Sequence, residues 1–214
     1  MLIAFEGPDG VGKSTSARLL SHNGTPIYNA TKENHKGARR ELEQGSSAFG
    51  FGQDLVQTFD RIDWLTHMVY RLAMPNKEWN DERVRTVFAM PDTHLVIKLH
   101  RMDYDGNFFG APPIQHAEDE GYKLDQLLKV NQAYFWFLQY FQGINHAWEY
   151  SLFRSLTAVD VWFDEDGKRH QTLGLFRSPV VTPSGETDPG AGEQDFTDED
   201  ILDLLRADEL QRVG

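Results

Sequence analysis

MLIAFEGPDGVGKSTSARLL, Met1 to Leu20, is the stretch from which the rest of the chain is read. Met1 to Phe5 is short, apolar and closed by Gly7, the pattern of a buried strand, and after Lys13 the run STSARLLSHNG reads as a helix ending near Gly24. Between them, Gly7-Pro8-Asp9-Gly10-Val11-Gly12-Lys13-Ser14 fills every position of the phosphate-loop pattern G-x-x-x-x-G-K-[ST]. The pattern needs a strand before it and a helix after it, and it has both. Gly7, Gly10 and Gly12 let the backbone wrap so that successive N–H groups aim at phosphate oxygens, and the helix N-terminus adds its positive end. The stretch therefore predicts a nucleoside triphosphate site made of Gly7, Gly10, Val11, Gly12, Lys13, Ser14 and Thr15. In it Lys13 neutralises phosphate charge and the Ser14 hydroxyl ligates Mg2+.

Working outward, PIYNA (26–30) reads as a second short strand and ENHKGARRELEQG (33–45) as a polar helix. DLVQTFD (54–60) is a weaker strand running into Asp60 and Arg61. Trp64, Leu65, Met68, Val69 and Leu72 then fall at helical spacing until Pro75. HLVIKLH (94–100) is a strong strand, and the loop that follows it, about 101–122, has the length of a functional lid. Leu124, Leu127, Leu128, Tyr134, Phe135, Leu138 and Phe141 mark a long helix, and residues 158–176 read as a hairpin turning at Asp166-Gly167. Residues 178–196, rich in Pro, Gly and polar side chains, read as a linker. Thr197 can cap an acidic terminal helix whose first turn carries Asp198, Glu199 and Asp200. Strands alternating with helices predict an α/β fold: a parallel sheet flanked by helices, with the C-terminal β-hairpin and the acidic helix as additions. The expected division is one domain over 1–177, the linker, and a helical tail over 197–214.

With 33 acidic against 21 basic residues the formal charge is -12, a field that opposes stable binding to duplex DNA and to anionic membrane. Without cysteine there is no disulfide, thiol nucleophile or thiolate metal site. No apolar run approaches the roughly 20 residues of a membrane span, and the expected location is the cytoplasm. Asp103, Asp105 and Asn107 begin like a calcium loop, but Phe108 replaces its glycine and Ile114 its bidentate glutamate. The eight histidines include no H-E-x-x-H pairing. An Asn-Lys-x-Asp guanine signature and a second strand ending in Asp-Glu are also missing. Together these omissions leave small-molecule kinases among the users of a phosphate loop.

FEGPDGVGKST (5–15) resembles the first loop of thymidylate kinases and related deoxynucleoside monophosphate kinases, F-E-G-x-[DE]-G-x-G-K-[ST]-T, down to the acidic residue at Asp9. Phe59-Asp60-Arg61 looks like the family's Asp-Arg motif. Thr66 to Tyr70 is similar to the Ser-Glu-x-Val-Tyr run of bacteriophage-type members, and Glu118 to Tyr122 to the stretch that ends their lid. The resemblance spans about Met1 to Phe141. It implies ATP and Mg2+ as cofactors, a deoxynucleoside monophosphate as the acceptor, and a homodimer. It gives Arg61 the acceptor phosphate, Asp60 the organisation of Mg2+ together with Ser14, and Asp9 either the acceptor sugar or a pairing with Arg61; Lys13 completes the catalytic set. The sequence departs from the family in two places. YNATKENHKG stands where an Arg-Glu-Pro-Gly-Gly-type stretch is common, leaving Lys32, Lys36, Arg39 or Arg40 as substitutes. The lid-like PPIQHAEDEGY carries His116 but no arginine. The alternative readings are a kinase acting on a hydroxymethyl-modified base, free or in DNA, and a nucleotide-binding regulatory module.

Overall fold

The computed structural model describes residues 1–21, 28–29, 56–77, 90–103, 105–111, 123–147, 152–174 and 196–213. The expected helix over 33–45, the four alternative cations within 32–40, the lid residues 112–122 and nearly all of the linker lie outside them.

The elements in chain order are β1 (Leu2–Glu6), α1 (Lys13–Leu20), β2 (Tyr28–Asn29), β3 (Gln57–Asp60), α2 (Asp63–Ala73), β4 (Met90–His100), α3 (Leu124–Ala147), β5 (Phe153–Phe163), β6 (Arg169–Leu173) and α4 (Asp198–Val213). They form one six-stranded sheet in the order β2-β3-β1-β4-β5-β6. The first five strands run parallel and β6 returns antiparallel along β5. The fold is thus the phosphate-loop type of α/β sheet flanked by helices. The hairpin is present, and its first strand is a full parallel neighbour of β4, so only β6 lies outside the parallel set. Its turn closes where Asp166-Gly167 predicts, with Gly167 at φ 75 and the Asp164 carboxylate accepting the N–H groups of Asp166 and Lys168 at 3.0 and 2.8 Å.

Strands buried on both faces read as apolar runs, as in LIAFE and HLVIKLH, because helices cover each side. On one side α2 and α3 bring Trp64, Leu65, Val69, Tyr134, Leu138 and Phe141 against Ala4, Leu95 and Ile97. On the other, Ala17 and Leu20 of α1 join Ile201 and Leu205 of α4 over Ile3, Phe5, Val96 and Val159. The acidic terminal helix is therefore part of this second core. Its N-terminus is a capping box: the Thr197 hydroxyl accepts the Asp200 N–H at 3.2 Å while the Asp200 carboxylate accepts the Thr197 N–H at 2.7 Å. Its other end is tied to the sheet through Glu209, which meets His94 and Arg154 at 2.9 Å each. Among the described residues no helix is long and apolar enough to cross a membrane.

Candidate active site

In a parallel sheet, ligands sit beyond the carboxyl ends of the strands, where the strand order reverses direction. Here that point is β1, with β3 on one side and β4 on the other. The registers Phe5↔Asp60 and Glu6↔Ile97 bring the phosphate loop after β1, Asp60-Arg61 at the end of β3, and His100 at the end of β4 to one edge.

Gly7, at φ 140, lies against the Lys98 carbonyl of β4, and a Cβ there would overlap that oxygen; only glycine permits the approach. The loop is closed by Lys13, whose Nζ donates to the Pro8 carbonyl at 2.5 Å and lies 3.9 Å from Asp9. From below it is supported by His100, whose Nε2 meets the Asp9 carbonyl at 2.8 Å. A carbonyl only accepts, so this contact makes Nε2–H the protonated nitrogen of a neutral ring.

Burial lowers the His100 pKa from 6.5 to about 4, with the charge on Lys13 adding to the effect against the Asp9 contacts. A histidine held neutral in the folded chain binds its proton more readily when unfolded. Its contribution to stability is therefore complete above about pH 6.5 and is lost as the pH falls towards about 4. The expected loss is about 3 kcal/mol over that window. Urea unfolding at stepped pH should show it, and a His100→Gln variant should flatten that part of the curve.

Asp9 and Arg61 face each other across the loop and β3. The guanidinium donates to one Asp9 oxygen, and the Tyr70 hydroxyl donates to the other at 2.8 Å. Burial raises the Tyr70 phenol well above its ordinary range, so the proton it donates stays on it. Of the two roles the resemblance left open for Asp9, the structure shows the pairing with Arg61. Arg61 also has φ 82, a left-handed conformation that costs a non-glycine residue about 1–2 kcal/mol. Its N–H bond to the Phe5 carbonyl at 2.9 Å and the ion pair to Asp9 hold it there.

Beneath this pair, Glu6 is fully buried and accepts the Ile62 N–H at 2.5 Å, the Thr66 hydroxyl at 2.9 Å and the Tyr134 hydroxyl at 2.7 Å. Burial pushes its carboxyl up against the opposing pull of Arg61 and of these bonds. One carboxylate thus joins β1 to α2 and α3, and it satisfies the N–H at the α2 entrance, where no capping side chain does.

The Ser14 hydroxyl donates to Asp60 at 2.5 Å, which joins the two residues expected to serve Mg2+. Ser14 is exposed and Asp60 is buried. A hydroxyl and a carboxylate are hard oxygen donors, and Mg2+ in phosphate-loop sites takes one or two such ligands and completes its shell with phosphate and water. The donor set fits. Gly10 and Val11 lie in the loop, with Val11 fully buried in the α1-side core, and Thr15 is exposed on the first turn of α1.

Sequence reasoning missed four participants: His100, Lys98, Asp198 and Arg169. Lys98 is fully buried, and its Nζ donates to Ser16 at 2.5 Å, Asp198 at 2.8 Å and Gln171 at 2.9 Å. A lone cation inside the apolar run HLVIKLH was the signal that could have found it, because a buried lysine requires a partner.

No family model matches the chain, and no curated protein sequence matches it. Among solved structures it is similar to the YorR protein of Bacillus subtilis in complex with phosphorylated GDP, at 13% identity and TM-score 0.43, covering 100% of this chain and 99% of that one. It is also similar to deoxyadenosine kinase from M. mycoides with bound dATP, at 16% identity and TM-score 0.38, covering 75% and 91%. A third is thymidylate kinase from Ehrlichia chaffeensis, at 15% identity and TM-score 0.36, covering 77% and 89%. Likenesses this distant carry no functional argument, so the chemistry of the site rests on its own geometry.

Proposed function

We propose that the chain is an ATP- and Mg2+-dependent kinase that phosphorylates a deoxynucleoside monophosphate, thymidylate-like, to the diphosphate. The observation that carries this reading is the Asp9–Arg61–Tyr70 cluster, which fixes Arg61 against the phosphate loop with Lys13 close by. Transfer between two phosphorylated molecules needs positioning and positive charge around the moving group, and Lys13 and Arg61 both approach the Asp9 carboxylate.

In this scheme the loop N–H groups and Lys13 hold the β- and γ-phosphates of ATP. Arg61 binds the phosphate of the acceptor, with Asp9 and Tyr70 fixing its guanidinium. An acceptor phosphate oxygen attacks the γ-phosphorus, the bond from that phosphorus to the bridging oxygen breaks, and ADP leaves. Ser14 and Asp60 would hold Mg2+, which when bound neutralises charge on the β- and γ-oxygens. Glu6 keeps β3 and the start of α2 in place beneath Arg61.

The test is ADP release with ATP and Mg2+ across the four deoxynucleoside monophosphates, hydroxymethyl-dUMP and a hydroxymethyl-containing oligonucleotide. The expected result is turnover stimulated by a monophosphate, and it identifies the base. Turnover with the oligonucleotide alone would overturn the acceptor assignment. ATP binding without transfer to any acceptor would overturn the kinase reading.

A further inference from the structure

PPIQHAEDEGY contains no arginine, but an arginine reaches the phosphate loop from β6, the last strand of the sheet. Arg169, the first residue of β6, lays its guanidinium against Gly12. A Cβ on Gly12 would overlap Nη1 and lie 2.9 Å from Cζ. Gly12 is the glycine immediately before Lys13, in the part of the loop whose backbone cradles the donor phosphates.

The position of Arg169 is built in. It stands opposite Phe163 in the β5–β6 register, two residues after the Asp164–Gly167 turn. The next residue, His170, is bonded to Asp164 at 2.9 Å and stacked on Trp162 with centroids 5.5 Å apart. The side chain is 28% exposed, and its ion-pair partner is Asp198 at 3.6 Å, beyond hydrogen-bond distance. The other oxygen of Asp198 is already taken by Lys98 at 2.8 Å, Ser16 at 2.7 Å and Gln171 at 3.2 Å. Among the described residues the Arg169 side chain therefore donates no hydrogen bond. A guanidinium has five N–H donors in a planar fork, and at Arg169 they face solvent at the edge of the loop, open to an anion.

We infer that Arg169 binds the phosphates of the donor nucleotide beside Gly12, so that the hairpin strand β6 supplies a cation to the donor site. The inference rests on the triphosphate site proposed above and deepens it. Asp198 holds the guanidinium in place without using its hydrogen bonds, and the planar fork suits paired phosphate oxygens. Because Ser16 and Asp198 are bonded to each other, the residue that orients Arg169 is also attached to α1, the helix that begins at the loop.

The test is calorimetric binding of MgATP, ADP and adenosine to the full chain, alongside ADP-release kinetics, for the wild type and the Arg169→Ala, Arg169→Lys and Lys13→Ala variants. Thermal unfolding of each variant accompanies these measurements. Arg169→Ala is expected to weaken MgATP binding by about 10- to 100-fold, the worth of charge-assisted hydrogen bonds, while adenosine binding stays unchanged. Added guanidinium ion should restore part of the loss, and Arg169→Lys should fall between alanine and wild type. If Arg169→Ala lowers only the unfolding temperature while MgATP binds as in the wild type, Arg169 is merely the companion of Asp198 and the inference falls. That result, with Lys13→Ala still losing MgATP, would leave the triphosphate site standing. A wild-type chain that binds no MgATP would overturn both.

Discussion

Lys13→Ala is expected to reduce kcat/KM for ATP by about 10²- to 10³-fold or more, the scale seen when a preorganised charge facing the transition state is removed. Lys13 is buried, 5% exposed, and in the ligand-free chain its ammonium is spent on the Pro8 carbonyl with Asp9 close by. Burial brings its pKa down from 10.5 to about 8, Arg61 adding to the fall while Asp9, Asp60 and Glu6 oppose it. The charged form binds phosphate, so MgATP affinity should fall as the pH rises through about 8, by up to about tenfold per pH unit beyond it. Lys13→Arg, which stays charged, should move that decline out of the accessible range even if it transfers phosphate slowly. Calorimetric titration between pH 6.5 and 9.5 reads the first effect, and initial rates read the second. An alanine variant with wild-type turnover would show that phosphate transfer does not depend on this loop.

Asp198→Ala should destabilise the fold by about 3–5 kcal/mol, because it leaves the fully buried Lys98 ammonium without its counter-ion. For a chain of this size each kcal/mol moves the unfolding midpoint by about 2–4 °C, so a fall of about 10 °C is expected. Burial works against ionisation of Asp198, but the Lys98 charge and the bonds from Lys98, Ser16 and Gln171 outweigh it and hold the carboxyl below its ordinary pKa. A carboxylate lowered in the folded state contributes stability at neutral pH and loses it as the pH falls through the lowered value. The alanine variant should therefore lack this acid-dependent part of the unfolding curve as well as the constant part. Replacing both partners, Lys98→Met with Asp198→Leu, should recover much of the stability, since apolar packing avoids desolvating two charges. If Asp198→Ala unfolds within 2 °C of the wild type, about the effect of a neutral surface change, α4 is held by Ile201, Leu205 and Glu209 without help from the Lys98 pair.

The phosphate loop was legible because its requirements are local. Gly10 and Gly12 are there for left-handed backbone at φ 83 and 80, and an apolar strand followed by Lys13 and an amphipathic helix leaves the chain few alternatives. The Thr197–Asp200 capping box and the Asp166-Gly167 turn were readable for the same reason, since each closes its hydrogen bonds within a few residues. The long helix was found from its spacing, which left Trp136 and Tyr140, both more than half exposed, off its apolar face, although that face also took in Leu124, 43% exposed, beside Tyr134, fully buried on Glu6. Periodicity shows which residues share a face, not what that face meets.

The pairings at the site depend on strand order. Glu6 with Tyr134, Lys98 with Asp198, and Gly12 with Arg169 lie far apart in sequence and meet only because β4 and β5 follow β1 in the sheet and β6 folds back along β5. Read along the chain, the hairpin and the acidic helix looked like additions, because nothing near them shows what they cover. The sequence by itself determined the loop, the strand and helix around it, and the Asp60-Arg61 pair, since backbone conformation and short-range hydrogen bonding set those. Only the tertiary structure decided that the last helix neutralises a lysine buried beneath the loop and that an arginine from the last strand lies on its final glycine. Burial makes such long-range charges costly unless they meet, and where they meet is a property of the assembled sheet.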